Sequence, residues 1–204
     1  LPNFPSQKIY NSTSMQSVPK KDDCIRIIYQ GTIGKGHSIE EIVTLLNTEI
    51  QGKKLHLTLK GKVKEAYKNS IDDIAEKYGV LDKLSWIGIG SYKEVQEITK
   101  QNHIGIAIHL GDVPQGTASN KIYEYAACGL PALVYDNEQF RKHLSKYKWA
   151  VFTDGSVESL RNAIEYCYDN FENLSKEAKK DFNTNFFFEK NFEAIKQYLK
   201  TNSN

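Results

Sequence analysis

Cysteine is scarce in this sequence. Its three cysteines, Cys24, Cys128 and Cys167, are far apart and form no CxxC pair. An odd number of isolated cysteines excludes a disulfide framework and the common cysteine-based zinc sites. This usage is typical of a protein of the reducing cytoplasm, where we expect this one to act.

An excess of charge of one sign and long hydrophobic runs are also missing. The 27 Lys and Arg nearly balance the 25 Asp and Glu, and the basic residues are scattered along the chain. Such a pattern argues against a nucleic acid partner, although a small phosphate-bearing ligand fits it. No apolar run approaches the roughly 20 residues of a membrane span, and no signal-peptide pattern opens the sequence.

What is present is a regular alternation of two patterns. Hydrophobic residues make up 40% of the 204 positions, enough for one well-packed core. Short β-branched or aromatic runs alternate with stretches of helical period, which predicts an α/β fold: a Rossmann-like, doubly wound parallel sheet with helices on both faces. The predicted strands are 24–30, 54–60, 84–88, 103–109, 131–135 and 149–152.

Helix boundaries carry their own signals. Ser38 with Glu41 and Ser91 with Glu94 have the spacing of capping boxes, which predicts helices that begin after each serine. Gly79 is predicted to end the helix before it. Residues 172–199 are predicted to be helical. Residues 1–21, which hold three of the five prolines, have the composition of a linker.

The first strand runs into a glycine-rich loop with two cationic candidates. Gly31, Gly34 and Gly36 surround Lys35, and His37 precedes the Ser38 cap. Glycines, a helix N-terminus and a lysine together suit a diphosphate. The spacing matches neither a P-loop nor the dinucleotide fingerprint. The alternative is a tight turn with Lys35 and His37 in solvent.

A second loop, 112–120, precedes a helix that contains an unexplained acid. Ser119 or Asn120 is the natural N-cap, so Glu124 lies beyond the N3 position and no capping box accounts for it. A carboxylate near a helix start, beyond a strand end, is suited to accept hydrogen bonds from ribose hydroxyls. The alternative is an acid that the helix dipole favours.

The segment 120–134, NKIYEYAACGLPALV, resembles the signature of the donor-binding half of GT-B-fold, retaining glycosyltransferases of the family 4 type. IYQG at 28–31 with KG at 35–36 is similar to that family's first strand and phosphate loop, and LDKLSWIG at 81–88 is similar to its strand with the pattern drv.f.G. LPNFP at 1–5 is similar to the segment between the two domains of these enzymes. The resemblance covers essentially the whole chain.

The resemblance implies a role for each matching position. Glu124 would hold the ribose of a nucleotide-sugar, Lys35 would be the cation for its diphosphate, and His37 could fill a second basic position. Backbone groups around Gly88 would lie near the base. The start of the Glu124 helix would face the phosphates or the sugar, through Thr117, Ser119, Asn120 and Lys121.

The sequence also departs from that family. Many relatives have a glutamate eight positions before the ribose glutamate, and this chain has Gly116 there. Asp112 or Gln115 could replace it, or backbone groups could contact the sugar. No Asp-x-Asp motif or histidine cluster indicates a metal, so we expect neither a metal nor another cofactor.

The function expected from the resemblance is that of a glycosyltransferase donor domain, 22–188, with residues 189–204 returning to an N-terminal domain that binds a saccharide or lipid-linked acceptor. Such a fragment would bind donor and be inactive alone. Surface polysaccharide synthesis at the inner face of a membrane, with peripheral contact by lysine-rich helices, fits this function. Two alternatives stay open: a nucleotide-sugar epimerase of the same architecture, and a non-catalytic nucleotide-binding or regulatory domain.

Overall fold

A single parallel sheet forms the centre of the molecule. The computed structural model describes residues 4–11, 22–110 and 119–201. Six strands lie in the order β3-β2-β1-β4-β5-β6, and all pairs are parallel. The strands are β1 Cys24–Gln30, β2 Lys54–Lys60, β3 Leu84–Ile87, β4 Ile104–Ala107, β5 Ala132–Tyr135 and β6 Ala150–Thr153. The predicted strands are thus confirmed, within two residues at each end.

Helices cover both faces of this sheet, as the alternating pattern predicted. They are α1 Gln7–Asn11, α2 Ile39–Leu45, α3 Glu65–Lys77, α4 Tyr92–Thr99, α5 Asn120–Cys128, α6 Glu138–Leu144, α7 Val157–Asp169, α8 Phe171–Asn185 and α9 Phe188–Thr201. Ile25 and Ile27 of β1 pack into one core with α2, α3 and α7, whereas Ile28 packs into a second core with α5 and α8. Because adjacent side chains of a strand point to opposite faces, one apolar strand supplies both cores.

Two of the predicted helix boundaries are confirmed. The Ser91 hydroxyl accepts a hydrogen bond from the Glu94 amide at 3.3 Å, and the Glu94 carboxylate accepts one from the Ser91 amide at 2.6 Å, which completes the capping box of α4. Gly79 has a φ of 66° after the end of α3, and the Val80 amide donates to the Ala75 carbonyl at 2.8 Å. Gly79 therefore ends α3 in a left-handed turn that favours glycine.

The predicted capping box at Ser38 is wrong. Ser38 does precede α2, but its φ of 53° is left-handed and its side chain makes no capping hydrogen bond. Its hydroxyl instead donates to the Gly155 carbonyl at 3.4 Å. The contact with the loop before α7, which is distant in sequence, fixes this turn in place of the local cap.

The region 172–199 is helical as predicted, but it is divided. Phe186 leaves the helical conformation, with φ −119° and ψ 36°, and separates α8 from α9. Its ring is buried in the second core and lies 4.9 Å from the rings of both Tyr123 and Tyr147. Packing of this aromatic side chain explains the break, which the helical period of the sequence does not show.

Residues 4–11, the described part of the segment 1–21, pack against the start of α9. The carboxylate of Glu189 accepts hydrogen bonds from the Ser6 hydroxyl at 2.5 Å and from the Gln7 amide at 2.9 Å. The Phe188 amide donates to the Pro5 carbonyl at 3.1 Å, and Tyr10 is buried in the second core. Glu189 therefore satisfies the open N-terminus of α1.

Candidate functional site

A cleft opens at the carboxyl ends of the strands, where the strand order reverses between β1 and β4. Its volume is about 350 Å³. The residues that concern its chemistry are Gln30, Gly31, Lys60, Asn120, Lys121 and Glu124. In an open α/β sheet the crevice at such a reversal is the usual ligand site.

The position of α5 over this cleft depends on a contact between Tyr125 and Gly105. A Cβ atom on Gly105 of β4 would lie 2.4 Å from the Tyr125 ring. The ring therefore packs directly on the strand. The Tyr125 hydroxyl accepts a hydrogen bond from the Gln30 amide at 3.1 Å and lies 3.2 Å from the Ile106 carbonyl. Tyr125 thus joins β1 to β4 where the two strands separate, and it holds α5 at that point.

Glu124, the fifth residue of α5, places its carboxylate in the cleft. Ser119 is the N-cap of α5, which confirms that Glu124 lies beyond the N3 position. Its Oε2 accepts a hydrogen bond of 2.5 Å from Gln30, and its Oε1 accepts one of 3.4 Å from the Tyr92 hydroxyl. Burial raises the pKa of Glu124, and the contacts with Gln30, Lys121 and Tyr92 oppose this rise. One oxygen is thus held firmly while the other is only weakly engaged.

Gln30 orients Glu124, a role that the sequence pattern does not reveal. Its side chain is buried at the end of β1, with 4% exposure. Its Oε1 accepts a hydrogen bond of 2.7 Å from the Thr99 hydroxyl, so its amide nitrogen is directed at the carboxylate. The only signal in the sequence is a polar residue at the end of an apolar strand.

Lys121, the second residue of α5, lines the cleft together with Glu124. Its ammonium lies 5.3 Å from the centre of the Tyr29 ring, and burial lowers its pKa while Glu124 opposes this effect. A Cβ on Gly31, whose φ is 118°, would be 2.9 Å from the Lys121 side chain. A half-buried cation at a helix N-terminus is opposed by the helix dipole. The charge of Glu124 offsets part of this cost, and an anion bound beside Lys121 would offset more of it.

Lys35, in contrast, is exposed on the glycine loop. It makes no hydrogen bond or ion pair with the described residues, and it does not line the cleft. Gly34 beside it faces open space, whereas Gly36 has a φ of 83° and its carbonyl accepts a hydrogen bond of 2.6 Å from the Leu110 amide. The loop is thus fixed at Gly36, and Lys35 extends from it into solvent.

His37 is half-buried at the far side of this loop. Its Nδ1 lies 2.8 Å from the Ile108 carbonyl, so Nδ1 carries a proton and donates. Its ring packs between the rings of Tyr29 and His109, at 4.9 and 5.2 Å. Burial lowers the pKa of His37, although its hydrogen bond to the Ile108 carbonyl opposes this effect. A neutral imidazole in this tautomer has an acceptor at Nε2, which is unsuited to a phosphate oxygen.

The other residues predicted to bind the donor do not all line the cleft. Asn120 lines the cleft, and Ser119 is the N-cap of α5 but its side chain makes no capping hydrogen bond. Gly88 is exposed at the end of β3, where its carbonyl accepts a hydrogen bond of 2.6 Å from the ammonium of Lys60. Three predicted donor-binding residues lie outside the described residues: Gln115, Gly116 and Thr117. Asp112 also lies there.

Neither a metal-binding cluster nor a membrane-spanning helix is found in the described part of the chain. Within residues 4–11, 22–110 and 119–201, no group of three or more His, Cys, Asp or Glu side chains could hold a metal ion. Within the same ranges, no helix has both the length and the apolar character needed to cross a bilayer.

Comparison with known proteins agrees with this architecture. A model of the family described as glycosyl transferases group 1 matches residues 11–185. The fold is similar to that of Anabaena HepE crystallised with UDP, with a TM-score of 0.76 and 12% identity over 98% of this chain and 56% of that one. It is also similar to a glycosyltransferase from Rickettsia africae, with a TM-score of 0.75 and 14% identity over 97% of this chain and 56% of that one.

Other comparisons define the extent of the similarity. Sucrose-phosphate synthase from Thermosynechococcus elongatus has a TM-score of 0.68 and 14% identity over 97% of this chain and 49% of that one. Comparison with curated sequences gives no significant match. The chain therefore spans about half the length of each of these three solved structures.

Proposed function

Because the chain belongs to the family of glycosyl transferases group 1, we propose that its cleft binds the nucleotide-sugar donor of a GT-B glycosyltransferase. The observation that carries this proposal is the carboxylate of Glu124, held by Gln30 at the carboxyl ends of the strands. Glu124 is half-buried, and among the described residues it has no ion pair. A partly desolvated carboxylate of this kind costs free energy, and a ligand that donates hydrogen bonds to it would offset that cost.

The ligand group that suits Glu124 is a pair of vicinal hydroxyls. Oε2 is oriented by Gln30, and Oε1 is held only by the 3.4 Å contact with Tyr92. A carboxylate in this state accepts hydrogen bonds from two adjacent ribose hydroxyls, one at each oxygen. We assign Glu124 to the ribose of the donor.

The diphosphate is assigned to the start of α5 and the glycine loop. The start of α5 at Asn120, the half-buried Lys121 and Gly31 line the same cleft as Glu124, and amides at the start of a helix are suited to bind phosphate. Lys35 can add a second cation from the solvent side of the loop. Thr117 and its neighbours, which precede α5 in the chain, complete this part of the proposal.

The proposed chemistry is transfer of a sugar with retention of configuration and without a metal. As the bond between the sugar and the nucleoside diphosphate breaks, negative charge grows on the leaving phosphate. Lys121, Lys35 and the amides of α5 would stabilise that charge. Loss of one such preorganised donor typically lowers the rate about 10²- to 10³-fold.

The acceptor and the second half of the enzyme are further parts of the proposal. HepE was crystallised with UDP-glucose as well as UDP, which supports a nucleotide-sugar as the donor here. The chain spans 56% of HepE. We therefore assign acceptor binding, of a saccharide or a lipid-linked sugar, to an N-terminal half in the cytoplasm, toward which α9 would return.

The epimerase alternative is less well supported. An epimerase of this architecture would be expected to use further acids and histidines in its cleft. Among the described residues that line the cleft, Glu124 is the one carboxylate and there is no histidine. This composition favours a site that holds a nucleotide over one that moves protons on the sugar.

Calorimetric titration of the chain with UDP, GDP and their sugar conjugates tests the proposal. We expect at least one nucleoside diphosphate to bind, and Glu124→Ala to weaken its binding by about 10-fold or more. Glu158→Ala, at the start of α7, is the matched control and should bind like the wild type. No binding by the wild-type chain at millimolar concentration would refute the donor site.

A further inference from the structure

Lys60 is a buried cation in the cleft that neither the mechanism nor the resemblance uses. It ends β2, and its side chain is 4% exposed. Among the described residues, no carboxylate lies within ion-pair distance of its ammonium. The Glu94 carboxylate is nevertheless close by, because a Cβ on Gly90 would lie 2.6 Å from the Lys60 Nζ and 2.9 Å from the Glu94 Oε2. Lysine is rarely buried without a close ion pair, because removal of its charge from water is costly.

The contacts of Lys60 hold its ammonium at one place. Its Nζ donates a hydrogen bond of 2.6 Å to the Gly88 carbonyl. A Cβ on Gly90 would lie 2.6 Å from the same Nζ, so the loop after β3 lies directly against the ammonium. An ammonium has three donors. Since Gly88 takes one, donors of Lys60 stay available to a ligand in the cleft.

The main chain around Lys60 is equally constrained. The Gly31 amide donates to the Lys60 carbonyl at 2.9 Å. A Cβ on Gly61 would lie 1.9 Å from the Gly31 carbonyl oxygen, which excludes any side chain there. The end of β2 is therefore fixed against the end of β1, and Lys60 is a preorganised donor rather than a flexible surface lysine.

The strand order gives the part of the ligand that Lys60 faces. From α5 outward, the cleft passes the end of β1 with Gln30, the end of β2 with Lys60 and the end of β3 with Gly88. With the ribose on Glu124 and the diphosphate at the start of α5, the group beyond the ribose on the β2 and β3 side is the base.

The surroundings of Lys60 also suit a base. Ile89 lines the same end of the cleft and is 77% exposed, a large apolar surface to leave in water. Val95 is a second apolar residue of this lining. Apolar faces with a few placed polar groups are the usual surroundings of a flat heteroaromatic ring.

We propose that Lys60 is a specificity-determining residue, whose ammonium donates a hydrogen bond to a ring carbonyl of the base and so selects keto bases over amino bases. The inference rests on the proposed function, because it places the base from the ribose site. Uracil and guanine present such a carbonyl, whereas cytosine and adenine carry an amino group at the corresponding position. An amino group at that position would face the Lys60 ammonium and could not accept its hydrogen bond.

The test compares matched nucleotide pairs by calorimetry. UDP and CDP differ at this position of a pyrimidine, and GDP and ADP differ at it in a purine. For the preferred keto nucleotide, we expect Lys60→Met to weaken binding by about 10- to 100-fold, since a hydrogen bond from a charged group is lost. Binding of the corresponding amino nucleotide, CDP or ADP, should change by less than about 3-fold. The preference for keto over amino nucleotides should therefore be largely lost.

Two controls separate this role from others. Lys62→Met removes a charge from the same cleft at an exposed position. This variant should leave the ratio of UDP to CDP affinity and the ratio of GDP to ADP affinity unchanged. Inorganic pyrophosphate, as a probe without a base, should bind the wild type and Lys60→Met equally. Thermal melting of each variant shows whether it is folded.

Three results would overturn the proposal. An unchanged keto-to-amino ratio in folded Lys60→Met is the first. Equal weakening of all four nucleotides is the second, and parallel loss of pyrophosphate binding is the third, since both indicate a phosphate contact. In each of these cases the wild type still binds nucleotides, so the proposed function stands. Absence of nucleotide binding by the wild type would refute both.

Discussion

The side-chain amide of Gln30 donates a hydrogen bond of 2.5 Å to the carboxylate of Glu124, although the two residues are 94 positions apart. One lies at the end of the first strand and the other in the helix after the fourth strand. The bond therefore spans the reversal of strand order and joins the two halves of the cleft. It fixes the direction in which the carboxylate faces a ligand.

Replacement of Gln30 by leucine tests this role. The change removes the donor but keeps the size of the side chain, so UDP affinity is expected to fall about 10-fold. The Gln30 hydrogen bond also lowers the pKa of Glu124, so the pH at which acid abolishes binding should rise. Calorimetry across a pH series measures both effects. In the control Thr99→Val, which keeps the Gln30 amide, the loss should be smaller. Weaker binding with an unchanged pH profile would count against a positioning role.

Glu124→Gln is predicted to reduce nucleotide binding without reducing stability. Burial raises the pKa of Glu124 above its usual 4.5. Between 4.5 and the raised value the folded state holds more protons than the unfolded state, so the free energy of unfolding falls as the pH rises through this range. A glutamine side chain does not ionise, so the Glu124→Gln variant does not lose stability in this way.

Melting temperatures across the same pH range check the prediction. At neutral pH, Glu124→Gln should melt at or above the temperature of the wild type. Glu193→Gln is the control, because its partner Lys196 lowers the pKa of Glu193 and the variant should gain nothing. A marked loss of stability in Glu124→Gln would mean that the carboxylate is structural.

Lys121→Met and Lys35→Met distinguish the two candidate phosphate cations. Lys121 is half-buried beside Gly31, whereas Lys35 is exposed on the loop. We expect Lys121→Met to lower UDP affinity about 10-fold and Lys35→Met to lower it less, because solvent screens an exposed charge. Uridine, which has no phosphate, should bind all three proteins alike. The opposite order of losses would assign the main cation to Lys35.

Gly105→Ala is predicted to destabilise the fold by about 1–3 kcal/mol or more, because the new methyl group would overlap the buried Tyr125 ring. Gly34→Ala is the matched control, since open space surrounds Gly34. Its stability should stay within about 1 kcal/mol of the wild type. Urea denaturation of the two variants measures the difference. Equal stabilities would contradict the contact that holds α5 over the cleft.

Local patterns account for what the sequence predicted correctly. The strands correspond to short apolar runs in the sequence. The cap of α4 requires only Ser91 and Glu94, and the distance of Glu124 from its N-cap can be read directly from the sequence. The failures have a common cause, which is a contact distant in sequence. Ser38 lost its predicted cap to the carbonyl of Gly155, and Phe186 interrupts a helical stretch because its ring is buried.

The same cause explains the site residues that the sequence did not reveal. Gln30 and Lys60 end apolar strands, and nothing adjacent to them in the sequence marks their roles. Their partners, Glu124 and Gly88, lie 94 and 28 positions away. The parallel sheet brings them together because its strand ends share one edge.

The most direct test of the central claim is a thermodynamic cycle between Glu124 and the ribose. UDP and 2′,3′-dideoxy-UDP are titrated into the wild type and into Glu124→Ala, and the four affinities give the coupling energy. If Glu124 binds the ribose, removal of the hydroxyls weakens binding to the wild type about 10-fold or more and has little effect on Glu124→Ala. The same loss in both proteins would contradict the claim.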